Sequence, residues 1–353
     1  MPKQWKIHSP NPRLQVNLSN ALEVHPIVAQ LLINREITDH EEARDFLSAD
    51  ISGLHDPFLL KNMSKAVARI REAEKTKERV LVIGDYDVDG VTASVLLNNI
   101  LTQMSIPVVH HIPHRMVDGY GMNKKMGEFA KAEGVALVIT VDCGITAHKE
   151  VDLINAQGID VIILDHHEPD EYLPNAVAII NPKQRGCPYP FKHLAAVGLV
   201  TKLTQALLGQ SESEKILDFA AIGTIADVVP LRGENRIFVK AGLPKINTST
   251  NKGLRALLDL TKITGKKLSP FHIGFVLGPR INAAGRMDSA QTSLDLFLSD
   301  TNEKAQDLAK ALDRHNIERQ KIQAKIVDEA FNLVEQKVNF KNEKIIVLGK
   351  EGW

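Results

Sequence analysis

Five aspartates and two histidines fall in three short clusters: Asp85-Tyr86-Asp87-Val88-Asp89-Gly90, Val141-Asp142-Cys143-Gly144, and Asp165-His166-His167. Carboxylates brought this close cannot all stay ionised, because like charges at short range raise one another's pKa. Divalent cations relieve that repulsion. A mixed Asp/His ligand set suits Mn²⁺ first and Mg²⁺ second, and differs from the thiolate-rich sets of structural zinc. Two such ions ~3.5–4 Å apart, sharing a carboxylate, activate a water and stabilise the leaving oxygen of a phosphoester. The expected chemistry is therefore metal-assisted phosphodiester hydrolysis.

Each cluster also has a plainer reading. Asp85 to Gly90 matches the opening of an EF-hand loop, but the twelfth position is Leu96 where that loop needs Glu, and a strand-like run precedes it. A lone Asp at a strand end is commonly a helix N-cap, and adjacent histidines in a loop are commonly solvent-exposed. Joint placement separates the readings. Cys143 is expected to be a small buried residue and not a nucleophile.

The elements that must position these groups are legible as an α/β alternation. Residues 80–83, 107–112, 136–141 and 160–164 are short runs rich in Val and Ile, as buried parallel strands are. Helix-length stretches at 91–104, 122–133 and 147–157 separate or follow them. The pattern predicts an open, mostly parallel sheet with helices on both faces. Ligands of such sheets bind beyond the carboxyl ends of the strands, where all three clusters fall.

Residues 1–60 read as an N-terminal helical segment, in which Thr38 and Glu41 form a capping-box signal for a helix to about Leu47. A catalytic domain is expected over 61–300, with further helices at 194–208 and 212–226. From Asp300 and Thr301 a charge-laced stretch without Gly or Pro predicts a long connecting helix over 301–338. Residues 344–348 read as a strand opening a truncated second α/β domain, 339–353, so that the chain is expected to be a fragment cut at that domain's threshold.

Composition excludes several classes. The 353 residues, 24% charged and 44% hydrophobic, fit a soluble globular chain of about two domains. No apolar run approaches the ~20 residues of a membrane span, and the polar start lacks a secretory signal core. Two cysteines form no disulfide framework and point to a reducing, cytoplasmic setting. A Gly-rich dinucleotide fingerprint and a P-loop lysine are both absent. With 43 basic and 43 acidic residues, the chain lacks the overall positive charge of a typical nucleic-acid binder. Local basic stretches remain: 261–286 holds Lys262, Lys266, Lys267, Arg280 and Arg286 without an acid, and 172–211 adds Lys183, Arg185, Lys192 and Lys202. Such stretches are often only solvated faces, and 5% aromatic content limits extensive base stacking.

The three clusters, together with Gly223-Thr224-Ile225-Ala226-Asp227, resemble the four ordered motifs of DHH-superfamily phosphoesterases. The Asp85–Gly90 run, Ala226-Asp227-Val228-Val229-Pro230-Leu231, and Gly278-Pro279-Arg280-Ile281-Asn282-Ala283-Ala284-Gly285-Arg286-Met287 are similar to its branch of bacterial single-stranded-DNA-specific 5′→3′ exonucleases. The resemblance implies metal ligation of two ions by Asp87, Asp89, Asp142, His166 and Asp227, with Asp142 as the bridge and Asp85 a ligand or a support. It places His167 near the scissile phosphate or orienting its neighbours, and makes Asp165 the residue that fixes an imidazole. Asp142, His166 and His167 form the implied catalytic set. Arg280, Asn282 and Arg286, with Arg115 as a further candidate, are the implied phosphate contacts.

The implied activity is removal of mononucleotides from the 5′ end of single-stranded DNA in recombination and repair, in the cytoplasm, away from membranes, alongside a helicase and a single-strand-binding protein. Members of that branch continue into a DHHA1 domain and an OB-type domain, neither of which lies in these 353 residues. Two rival readings are a DHH hydrolase of short oligonucleotides, dinucleotides or pyrophosphate, and a non-catalytic DNA-binding scaffold. The scaffold predicts missing ligands, whereas every expected ligand position is filled.

Overall fold

The computed structural model describes residues 9–113, 121–338 and 344–353. Five parallel strands form one sheet: β1 (Val80–Gly84), β2 (Val108–His111), β3 (Leu137–Val141), β4 (Asp160–Leu164) and β5 (Ala178–Ile180), in the order β2-β1-β3-β4-β5. The sequence reading missed β5, a three-residue strand too short for its own periodicity. The chain goes out from β1 to β2 and then returns to pair β3 on the opposite side of β1. That reversal opens a crevice at the carboxyl ends of β1 and β3.

Successive strand residues point to opposite faces, and both faces are covered. Val80, Val82, Leu137, Ile139, Val141, Ile162 and Leu164 pack against helices Met63–Thr76, Val88–Gln103 and Ala196–Leu208. Leu81, Ile83, Val138, Val161 and Ile163 pack against Met126–Ala132 and His148–Asn155. Each such buried aliphatic side chain contributes roughly 1.5–3 kcal/mol. This two-sided burial explains why the strands read as continuous apolar runs and not as alternating ones.

Several boundaries differ from the sequence reading. The helix after β1 is Val88–Gln103, three residues earlier than expected, because the Asp87 carboxylate caps it by accepting from Gly90 N at 3.0 Å. Asp89 therefore lies in the first helical turn. In the N-terminal segment Asp39, not Thr38, is the cap of helix His40–Ser48, accepting from Glu41 N and Glu42 N. The expected helix at 212–226 is two, Gln210–Lys215 and Leu217–Ala226.

The long helix runs unbroken over Asn302–Lys337, capped by Thr301. Its first half is anchored by Ala305, Ala309, Leu312 and Asn316, all buried. The expected strand at 344–348 is not formed: these residues are irregular, with no partner strand among the described residues to take their backbone groups. Instead Lys350 Nζ and Trp353 Nε1 reach back to Glu329 of the helix, at 2.9 and 2.8 Å. Among the described residues no helix is long and apolar enough to cross a membrane.

Lys202 departs from its reading as part of a basic face. It is fully buried, and its ammonium pairs with Glu234 at 3.0 Å, itself fully buried. Glu234 also accepts from Tyr189 Oη at 2.5 Å and from His55 N at 3.1 Å, so one carboxylate ties the N-terminal segment to the core.

Candidate metal centre

The three clusters and Asp227 meet at the crevice between β1 and β3. Asp85 and Asp87 follow β1, Asp142 follows β3, and Asp165, His166 and His167 follow β4. Asp227 arrives from the far side, at the C-terminal end of helix Leu217–Ala226. Carbonyls gather at that end of a helix, which makes it an unfavourable place for a carboxylate unless a cation offsets it.

Local backbone geometry aims the ligands. Asp142 has φ 63°, a left-handed conformation that Asp tolerates better than most residues but at a cost, and its N–H donates to Leu164 O at 3.0 Å. Val228, directly after Asp227, is also left-handed at φ 61° and is 84% exposed, a conformation a β-branched residue rarely adopts. Backbone strain thus sits beside two of the candidate ligands. At Gly90 a Cβ would lie 2.5 Å from the carbonyl oxygen of Asp85, so only glycine lets the loop fold back tightly enough to present Asp85, Asp87 and Asp89 together.

Three overlapping groups of side chains could each hold an ion: Asp85, Asp87 and Asp142; Asp142, His166 and His167; Asp89, His166 and Asp227. Asp142 and His166 are each shared by two groups. His166 Nε2 lies 3.0 Å from Asp142 Oδ1, 3.7 Å from Asp227 Oδ2 and 3.9 Å from Asp89 Oδ2. Asp85 Oδ1 and Asp227 Oδ2 are buried and have no hydrogen-bond partner among the described residues. Two buried oxygens left without a donor, within an all-oxygen-and-imidazole set, fit hard divalent cations such as Mn²⁺ or Mg²⁺.

The electrostatics of the metal-free arrangement agree. Burial, then the charge of Asp87, lifts Asp85 to about 7, and the same two causes lift Asp227 to about 7. Asp142 is raised by burial and by Asp89, and Asp89 by burial, Asp227 and Asp87, even though Asp89 accepts from Ala196 N at 2.6 Å and Val197 N at 2.8 Å at a helix start. The two histidines are driven apart. Burial and then the neighbouring His167 push His166 down to about 4, keeping it in the neutral form that ligates a metal. Hydrogen bonding to Asp165 raises His167. Asp165 itself, although burial opposes it, is held low by its hydrogen bond to His167 and that ring's charge. Cys143, raised by burial and then by Asp165, is a buried thiol and not a nucleophile.

The expected phosphate contacts separate. Asn282 and Arg286 line a cleft of about 190 Å³ with Ala226, Gly274, Gly278, Pro279 and Arg319, and Ala226 is the neighbour of Asp227. Asn282 Oδ1 is buried and has no partner among the described residues. Arg280 instead turns to the long helix: its Nε pairs with Asp313 at 2.9 Å, and Nη1 donates to Val276 O at 2.8 Å. Arg115 lies outside the described residues. Helix Gly278–Met287 abuts the metal loop, since a Cβ at Gly285 would lie 3.0 Å from Tyr86 O. Arg319, on the long helix, was missed by the sequence reading because a charged helix residue carries no signal of what it faces. The capping of Asp89 by the helix starting at Ala196 was missed too, although small residues at Ala195, Ala196 and Gly198 permit such close backbone approach. A separate cavity of about 1080 Å³ lies between the N-terminal segment and residues 230–237 and is lined by none of the candidate ligands.

Comparison with known proteins places this geometry. Residues 79–224 match the N-terminal domain of the DHH family. The chain is 41% identical over 350 residues to the single-stranded-DNA-specific exonuclease RecJ of Bacillus subtilis (strain 168), covering 99% of this chain and 44% of that protein. The crystal structure of exonuclease RecJ bound to manganese matches with a TM-score of 0.71 at 36% identity, over 76% of this chain and 69% of that one. The chain belongs to the RecJ family. A RecJ structure in complex with Mn²⁺ from Thermus thermophilus matches with a TM-score of 0.77 at 33% identity, over 91% of this chain and 46% of that one. The chain thus spans about half the length of the curated RecJ relatives it matches. The DHH match contains the three clusters and stops short of Asp227 and the Gly278–Met287 helix, which the RecJ similarity extends to.

Proposed function

We propose that this chain carries the hydrolytic centre of a single-stranded-DNA-specific exonuclease that acts in recombination and repair. The observation that carries the reading is the convergence of three ligand groups, two of them containing Asp142 and two containing His166, with two buried carboxylate oxygens that have no donor among the described residues. Asp85, Asp87 and Asp142 would hold one divalent ion, and Asp89, His166 and Asp227 the other. When bound, the ions lower the pKa of water and supply positive charge against the phosphate oxygens.

The chain's own groups do the rest. Asp165 holds His167 at Nδ1 (2.7 Å) and at its backbone N–H (3.1 Å), which fixes the ring beside the scissile phosphate. Arg286 and Asn282 take an adjacent phosphate in the cleft next to Ala226, where a guanidinium fork matches phosphate oxygens. Arg280 positions that helix through Asp313. The division into an N-terminal helical segment (1–60), a catalytic region (61–300) and a connecting helix (301–338) belongs to this proposal, as do a cytoplasmic setting and work beside a helicase and a single-strand-binding protein.

The test is incubation with Mn²⁺ or Mg²⁺ and single strands labelled at the 5′ or 3′ end, duplexes, dinucleotides and pyrophosphate. Metal-dependent release of mononucleotides from the 5′ ends of single strands is expected. Preference for dinucleotides or pyrophosphate overturns the exonuclease reading, and binding of DNA without hydrolysis favours a scaffold.

A further inference from the structure

Phe271 and Phe275 stand one helical turn apart, 61% and 72% exposed, on the segment that leads into helix Gly278–Met287. Their rings stack on each other, with centroids 5.0 Å apart and planes inclined by 23°. The opposite face of the same segment is already satisfied, since Ile273 and Leu277 are fully buried. Two large apolar rings, stacked side by side on the water side, are thus surplus to the core. The backbone is unusual at the same place: Ile273–Leu277 is a π-helical turn, a widening that recurs at functional sites.

The neighbours indicate what the rings meet. Gly274, between the two phenylalanines, lines the cleft that holds Asn282, Arg286 and Arg319, and a Cβ added there would meet nothing within 4 Å. Lys262, Lys266 and Lys267 are exposed just upstream, and 261–286 contains no acid. Open space, guanidinium groups and flat apolar rings occur together on one short stretch. A phosphate chain with planar bases has these complementary features, and proteins that hold single strands without sequence preference combine a positive track with aromatic faces.

We propose that Phe271 and Phe275 form a base-stacking platform for single-stranded nucleic acid, with a backbone phosphate of the same strand in the Asn282–Arg286–Arg319 cleft. This rests on reading the metal centre as a single-strand hydrolase, and deepens it by assigning where unpaired bases lie. Stacking on phenyl faces is indifferent to base identity, so the platform selects unpaired over paired bases, whose faces are already stacked.

The test compares binding of an oligothymidylate with that of an abasic strand of equal length, in EDTA at one salt concentration. The unaltered chain is expected to prefer the oligothymidylate about tenfold or more, and Phe271→Ala/Phe275→Ala to lose that preference while still binding the abasic strand. Phe275→Trp is expected to keep the preference and to show indole fluorescence quenched by the oligothymidylate alone. Retained preference in the double variant, equal loss of both strands with an unquenched Phe275→Trp, or a changed oligomeric state with the preference intact would each overturn the platform. Mn²⁺-dependent hydrolysis of bis(p-nitrophenyl) phosphate, which has no base, is read on the unaltered chain. Its absence overturns the hydrolase reading, whereas its presence without a base preference overturns only the platform.

Discussion

Asp142 Oδ1 lies 3.0 Å from His166 Nε2, and this pair is the junction at which the three ligand groups meet. One residue comes from the end of β3 and the other from the end of β4, so the junction exists only because those strands are parallel neighbours in register. The left-handed turn at Asp142 completes it. Sheet order, strand ends and one strained residue together set the centre.

Replacing Asp142 with Ala removes a ligand from two groups at once. Turnover is expected to fall about a thousandfold or more, as loss of several kcal/mol of transition-state stabilisation requires. The check is initial-rate hydrolysis of a labelled single strand alongside a thermal melt showing that the variant is folded.

Asp165→Asn keeps the shape and weakens the hold on His167. We expect turnover reduced about ten- to a hundredfold with the bound Mn²⁺ stoichiometry unchanged. Single-turnover kinetics with metal titration on the same sample separates this from loss of a ligand.

Metal removal should make stability depend on pH in a defined direction. Asp85 and Asp227 bind protons up to about 7 in the folded, metal-free protein, but only to ~4 when unfolded. Between those values the folded state holds more protons, so stability is present at low pH and is lost as pH rises through about 7, on the order of a few kcal/mol. Melting temperatures in EDTA should fall from pH 5.5 to pH 8, and Mn²⁺ should restore most at pH 8.

The buried Lys202–Glu234 pair offers a test away from the centre. Glu234→Ala leaves the Lys202 ammonium buried without its partner, and about 3–5 kcal/mol of stability should be lost. Denaturant titration measures it. Arg280→Ala, by contrast, breaks a partly exposed pair with Asp313 and should cost under about 1 kcal/mol.

The sheet and the clusters were legible because both rest on local signals: short Val/Ile runs, and Asp or His residues immediately after them. Asp227 was recognised only through its motif, since nothing in an apolar helix reveals that its end points into a crevice. The strand at β5 and the burial of Lys202 were not legible, because each depends on partners distant in sequence, Ile162 to Leu164 for one and Glu234 for the other. The apolar run at 344–348 misled for the converse reason: a strand-like sequence becomes a strand only where it pairs, and these residues pair with none of the described strands.

Electron paramagnetic resonance of the protein titrated with Mn²⁺ tests the two-ion centre most directly. Two ions are expected to bind, with the spectrum of an exchange-coupled pair in the unaltered protein and loss of that coupling in Asp142→Ala. Saturation at a single ion, or two ions showing only the hyperfine pattern of isolated Mn²⁺, would contradict it.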